Sequence, residues 1–210
     1  HPSVFGGILA RRENEEDIRQ LEQYSIPEID LVIVDLYPFE ETVRLVDDEQ
    51  EIIEKIDIGG ISLIRAGAKN YKDVVIVSNS SQYDSLLALL KEKNGYTSLE
   101  DRRFFAAQAF QTSSNYDTAI FKYFNREAGI DVLRESINTS FRLRYGENPH
   151  QKGVFYGDHQ QVFDKLHGKE ISYNNFLDID ASLGLLDEFD ETTFVIVKHN
   201  NACGVASRKN

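Results

Sequence analysis

Three short apolar runs punctuate the chain: Ile29–Val34 (IDLVIV), Val74–Val77 (VVIV) and Phe194–Val197 (FVIV). Each is β-branched and nearly continuous, with no alternating polar face. That is the pattern of a strand covered on both sides within a parallel sheet. Between these runs, apolar residues recur at helical spacing. Ile18 and Leu21 put one stripe on Glu15–Tyr24, and Ile52, Ile53 and Ile56 put another on Glu49–Ile56. Further helices are predicted over Leu86–Lys93, Leu99–Gln111 and Tyr116–Glu127, with Ser98 as an N-cap and Asp101 completing a box-like start. Strands alternating with amphipathic helices predict an α/β domain on a parallel sheet.

The texture changes near residue 138. Gly129 ends a helical pattern, and Asn138-Thr139-Ser140 is polar and turn-prone. Beyond it come Arg144-Tyr145-Gly146, Asn148-Pro149, a strand-like Gly153–Tyr156 and a Gly168 turn. A boundary is therefore expected between residues 1–138 and 139–210. The second part is too short to complete a sheet and is expected to be cut short. A chain that opens on His1-Pro2 and contains no Met is expected to be processed or a piece of something longer.

Composition narrows the class. With 41% hydrophobic and 28% charged residues, 13 Gly and 4 Pro, the 210-residue chain is globular. No fixed-period repeat occurs, and no apolar run approaches the ~20 residues that cross a bilayer. A net charge of −12 repels phosphate backbones and anionic lipid, which argues against nucleic-acid and membrane partners. It leaves room for a small anion in a locally basic pocket. The single Cys203 excludes an internal disulfide and a multi-cysteine zinc site, suits a cytoplasmic enzyme, and reads as a small buried residue. His1, His159 and His167 lack ligand spacing, so no metal is expected.

Four segments carry candidate chemistry. Asp57-Ile58-Gly59-Gly60 leads into a helix over Ile61–Asn70, where close backbone approach and a helix N-terminus suit an anion, and Arg65 and Lys69 lie one turn apart. A plain Gly-Gly turn before a solvated basic face fits as well. Asp35-Leu36-Tyr37-Pro38-Phe39 follows the first strand at its carboxyl end, where open α/β sheets bind ligands, although an aromatic plug would look the same. Leu143–Gln151 is dense in hydrogen-bonding side chains: Arg144 could clamp a phosphate and Tyr145 could stack on a base, or the segment is a polar linker. Lys198-His199-Asn200-Asn201 follows the last apolar run and pairs a near-neutral imidazole with a fixed cation. A nucleotide-binding module and an enzyme both remain open on these residues. Tyr37 and the Lys198-His199 pair discriminate, because a pure binder needs no base.

Taken together, the segments resemble the bifunctional AICAR transformylase/IMP cyclohydrolase family of purine biosynthesis. The resemblance is carried in family order by His1-Pro2, Gly6-Gly7-Ile8-Leu9, Leu36-Tyr37-Pro38-Phe39-Glu40 and Ile56-Asp57-Ile58-Gly59-Gly60. It continues through Ile64-Arg65-Ala66, Ala68-Lys69-Asn70, Leu143–Gln151, Gly168-Lys169-Glu170, Ser172-Tyr173-Asn174-Asn175 and Lys198–Asn201. It implies a methylglyoxal-synthase-like α/β cyclohydrolase domain, lacking its N-terminal part, over 1–138. It implies the truncated start of a cytidine-deaminase-like transformylase domain, without zinc, over 139–210. The implied chemistry is formyl transfer from the co-substrate 10-formyltetrahydrofolate to AICAR, then ring closure of FAICAR to IMP, in a cytoplasmic homodimer.

By the same resemblance Lys69 transfers a proton, Asp57 orients the amide and Tyr37 stands beside the reacting group. His199 is the base for formyl transfer, and Lys198 stabilises the oxyanion or assists folate departure. Val34, Asp35, Ile58 and Gly59 map to nucleotide contacts, and Arg144 and Tyr145 to AICAR binding. Asp35 stands where many members have Asn, Phe5 where many have His, Gly67 where Ala is usual, and Ala202 where Pro is common. An ionised carboxylate at Asp35 accepts hydrogen bonds but cannot donate them.

Overall fold

Proline at the first helical position and the His1 imidazole, which accepts from the Ser3 amide at 3.3 Å, start helix α1, Pro2–Leu9. The computed structural model describes residues 1–209 and separates them into two units, His1–Ser136 and one that begins at Ile137. In the first unit α1 is followed by α2 (Glu15–Gln23), β1 (Leu31–Ile33), α3 (Phe39–Leu45), α4 (Glu49–Ile53) and α5 (Gly59–Lys69). Then come β2 (Val75–Val77), a 3₁₀ turn at Ser80–Gln82, α6 (Tyr83–Glu92) and α7 (Leu99–Ala128).

Strands β1 and β2 pair in parallel, with Val32 opposite Ile76. The core gathers where α1, α5 and α7 meet these strands, around Ile8, Ile64, Ala68, Val74, Ile76 and Ala109. Gly67 explains itself here: a Cβ at that position would lie 3.2 Å from the Ile76 Cβ, so glycine lets α5 sit close on β2. Its helix-propensity loss of about 1 kcal/mol relative to Ala is offset by that close packing.

Two expectations change in this unit. Strand β1 is covered on one face only, since Val32 is buried while Leu31 and Ile33 are exposed; β2 is buried throughout, as its pattern predicts. The two helices expected around Thr112–Asn115 are one 30-residue helix. The hydroxyls of Thr112, Ser114 and Thr118 bond to carbonyls three or four residues earlier, so the polar run is absorbed without a break. Helix α4 also stops at Ile53, short of Ile56.

In the second unit β3 (Ser140–Arg142) and β4 (Val154–Tyr156) pair antiparallel, followed by a 3₁₀ turn at His159–Gln161 and α8 (Tyr173–Leu186). Rings of Phe141, Phe155, His159, Phe163 and Phe176 cluster beneath them, Phe155 stacked on Phe176 at 4.5 Å. The unit ends in a hairpin of β5 (Thr192–Lys198) and β6 (Asn201–Arg208). The FVIV run is thus antiparallel and half open: Phe194 is 66% and Ile196 53% exposed. The reason is local. His199 and Asn200 both take positive φ (54° and 59°), the backbone of a two-residue type I′ turn that sends the chain straight back. Cys203, expected to be buried, sits exposed on β6. The whole is a mixed α/β structure with small parallel and antiparallel sheets.

Candidate functional site

In the first unit the candidate residues cluster at the carboxyl edge of the parallel pair. The Val34 amide donates to the Val77 carbonyl at 2.9 Å, extending the pairing just past β1. Asp35, next in line, accepts a hydrogen bond from the Tyr83 hydroxyl, which raises the Tyr83 phenol above its ordinary value. Pro38 turns the chain into α3 and buries Phe39 edge-on against Tyr116 and Tyr123. Tyr37 is left 57% exposed, its ring 5.7 Å from the Lys55 ammonium.

Tyr116, from the middle of α7, ties this edge to the next segment. Its hydroxyl accepts from the Asp57 amide at 2.9 Å and donates to the Lys55 carbonyl. Burial is the main cause that raises its pKa. The Asp57 carboxylate in turn accepts from the amides of Gly60 (2.6 Å) and Ile61 (3.2 Å) at the start of α5. The amides that the sequence offers to an anion are therefore held by Asp57 itself. A Cβ at Gly60 would come within 2.8 Å of both Asp57 oxygens, so a side chain there would force the carboxylate to move. Ile58 is exposed and Gly59 faces open space.

Tyr37 and Asp57 are thus brought into one neighbourhood through Lys55 and Tyr116, with Val34 and Asp35 on the same strand edge. Lys69 is not. It closes α5, about 15 Å along the helix axis from the Asp57 end at 1.5 Å per residue. There it lines a groove of about 370 Å³ with Leu9, Arg11, Tyr71 and Asp73. Its neighbour Asn70 is buried and donates to the Ile8 (2.9 Å) and Ala10 (3.0 Å) carbonyls, capping the end of α1. Arg65 donates to the buried Ser113 hydroxyl at 3.0 Å and lies 5.7 Å from the Phe110 ring. It packs on α7 instead of joining Lys69 in a solvated pair.

In the second unit the Leu143–Gln151 segment is clasped to the start of α8. The Arg144 amide donates to Ile171, the Tyr173 amide to the Tyr145 carbonyl, and the Asn174 amide group to the Glu147 carbonyl, each at 3.0–3.2 Å. A polar linker would make no such contacts. A buried Ser172 opens α8 in a reciprocal cap with Asn175. The Arg144 guanidinium lies 5.3 Å from the Tyr145 ring, and both line an open cavity of about 780 Å³ with Lys169, Asn175 and Val197. Lys198 ends β5 and His199 opens the hairpin turn, next to the cavity residue Val197. The Asn200 amide donates to Asp178 on α8 at 2.8 Å, and the Asn201 side chain donates to the His199 carbonyl at 2.7 Å.

Tyr83, Tyr116, Ser113 and Lys55 escape the sequence reading. Only Ser113 and Tyr116 left a trace, as polar residues three apart on the stripe of α7 that is buried. Among the described residues no cluster of His, Cys, Asp and Glu could hold a metal ion, and no helix is long and apolar enough to cross a membrane.

Comparison with known proteins gives a consistent result. The family model of the AICARFT/IMPCHase bienzyme matches residues 67–210. The bifunctional purine biosynthesis protein PurH of Bacteroides thetaiotaomicron is 62% identical over 99% of this chain and 41% of its own length. That of Persephonella marina is 50% identical over 98% of this chain and 42% of its own. The chain thus spans about two fifths of the length of these curated relatives. Among solved structures, the crystal structure of ForH aligns with a TM-score of 0.50 at 36% identity, covering 59% of this chain and 65% of that one.

Proposed function

Since the chain belongs to the AICARFT/IMPCHase bienzyme family, we propose that it is part of a cytoplasmic enzyme that makes IMP in two steps. A formyl group passes from 10-formyltetrahydrofolate to AICAR, and the resulting FAICAR closes to IMP with loss of water. Residues 1–138 would supply the methylglyoxal-synthase-like cyclohydrolase, and residues 139–210 the opening of a cytidine-deaminase-like transformylase that works as a homodimer. The partners are small molecules, not nucleic acid or membrane.

The observation that supports this reading best is the gathering of Val34, Asp35, Tyr37 and Asp57 at one strand edge, where α/β sheets take nucleotides. In ring closure the carboxamide nitrogen attacks the formyl carbon, a C–N bond forms, and the oxygen departs as water. Asp57 Oδ1 is engaged by two helix amides, which fixes the carboxylate so that it can accept the carboxamide N–H. Tyr37 stands beside the reacting group, and Ile58 and Gly59 present an accessible edge to the nucleotide. Lys69 moves a proton. That role rests on the family resemblance alone, since α5 holds Lys69 about 15 Å along its axis from the Asp57 end.

In formyl transfer the AICAR amine attacks the formyl carbon and tetrahydrofolate leaves. His199 takes the amine proton, and the Lys198 ammonium stabilises the oxyanion between the two events. Arg144 and Tyr145, paired at the cavity mouth, hold the AICAR phosphate and base. The test is direct. The full-length protein, given AICAR and 10-formyltetrahydrofolate, is expected to release IMP, followed by its absorbance; no IMP from the folded protein would refute the reading.

A further inference from the structure

Asp35 and Tyr83 come from different loops that leave adjacent parallel strands at the same end, and neither loop is loose. After β2, the Ser78 amide donates to Gln82 Oε1 at 2.9 Å, and the Ser78 hydroxyl bonds Thr112 on α7 at 3.0 Å. Ser78 and Gln82 are both buried. The 3₁₀ turn over Ser80–Gln82 is thereby locked, and it delivers Tyr83 at the first position of α6 with its hydroxyl on Asp35 Oδ2.

An ionised Asp35 offers acceptor sites only. One of its oxygens is engaged by a phenol that can point nowhere else without giving up a charge-assisted bond. Asp35 is exposed, so its other oxygen is open to a ligand. We propose that Tyr83 is a positioning residue of the nucleotide site. It holds the Asp35 carboxylate so that the free oxygen accepts from a donor on the ligand, a ribose hydroxyl or an amide N–H, and turns away a phosphate at that point. This rests on the nucleotide reading of the strand edge and adds the substrate feature that is read there.

A double-mutant cycle in the full-length protein tests it, with the affinity for IMP measured by calorimetry and the KM and kcat for FAICAR measured kinetically. Tyr83→Phe is expected to weaken IMP binding about tenfold, the range of one hydrogen bond to a charged group. The change should fall on KM far more than on kcat. In an Asp35→Asn background, where the amide can turn to satisfy itself, Tyr83→Phe is expected to change binding less than twofold. If wild-type protein binds IMP but Tyr83→Phe binds equally well, or loses the same affinity in both backgrounds, the positioning role is overturned and the nucleotide site stands. If wild-type protein binds neither IMP nor FAICAR, both fall.

Discussion

The two units solve the same problem, holding polar loops in place, with different means. In the first, side chains of Ile8, Ile64, Ile76 and Val77 are at most 1% exposed, and buried hydroxyls and amides hold the loops at the strand edge and the face of α5: Tyr116 under Asp57, Gln82 under Ser78, and Ser113 under Arg65. In the second, no apolar side chain among the described residues is fully buried. Its loops are held mainly by backbone bonds between the Leu143–Gln151 and Ile171–Tyr173 segments, by the Asn174 side chain on the Glu147 carbonyl and by a bond from Asn200 to Asp178, with Ser172 its one buried polar cap among those residues. The difference shows where preorganisation comes from. A buried polar partner fixes direction because losing it strands a desolvated group, whereas a surface bond exchanges with water at little loss.

The sharpest way to break this contrast is to hollow each unit in turn. Ile76→Ala in the first removes a fully buried side chain against α5 and is expected to lower stability by about 3 kcal/mol. Phe155→Ala in the second removes a partly buried ring stacked on Phe176 and should lower it by about 1–2 kcal/mol. Hydrogen exchange in urea, read separately on peptides from each unit, measures both. Equal losses would mean that the second unit has a core as tight as the first.

How much of this was legible beforehand follows the same division. Strand β2, helix α2 and the Ser98–Asp101 cap were readable, because each is fixed by local pattern: a β-branched run, a stripe, a capping pair. The order of the site segments was readable because loops at strand ends carry their chemistry in contiguous residues. What the sequence hid is set at long range. Tyr116 meets Asp57 across 59 positions and Tyr83 meets Asp35 across 48, and no local spacing encodes either contact. The hairpin was hidden for the opposite reason. His199-Asn200 lacks the Gly that usually announces a type I′ turn, so a strand end was read where the chain reverses.

A smaller effect sharpens the picture at the surface of the first unit. Hydrogen bonds from the Lys93 ammonium first, then from the Ser98 amide and hydroxyl, lower the Asp101 carboxyl from 3.8 to about 2. A carboxyl depressed in the folded state stabilises it above the ordinary pKa, and that contribution is lost as pH falls through the folded value. Asp101→Asn is therefore expected to lower the Tm at pH 7, with the gap closing between pH 4 and pH 2. A gap that stayed constant over that range would show that the cap, not the charge, carries the effect.

If residues 1–138 serve ring closure and residues 139–210 formyl transfer, as proposed, product analysis of two variants of the full-length protein will separate the two steps. Lys69→Ala should convert AICAR with 10-formyltetrahydrofolate and accumulate FAICAR. His199→Ala should leave AICAR unconverted yet still close added FAICAR to IMP. Folded variants that each lost both activities, or that lost the opposite one, would contradict the account.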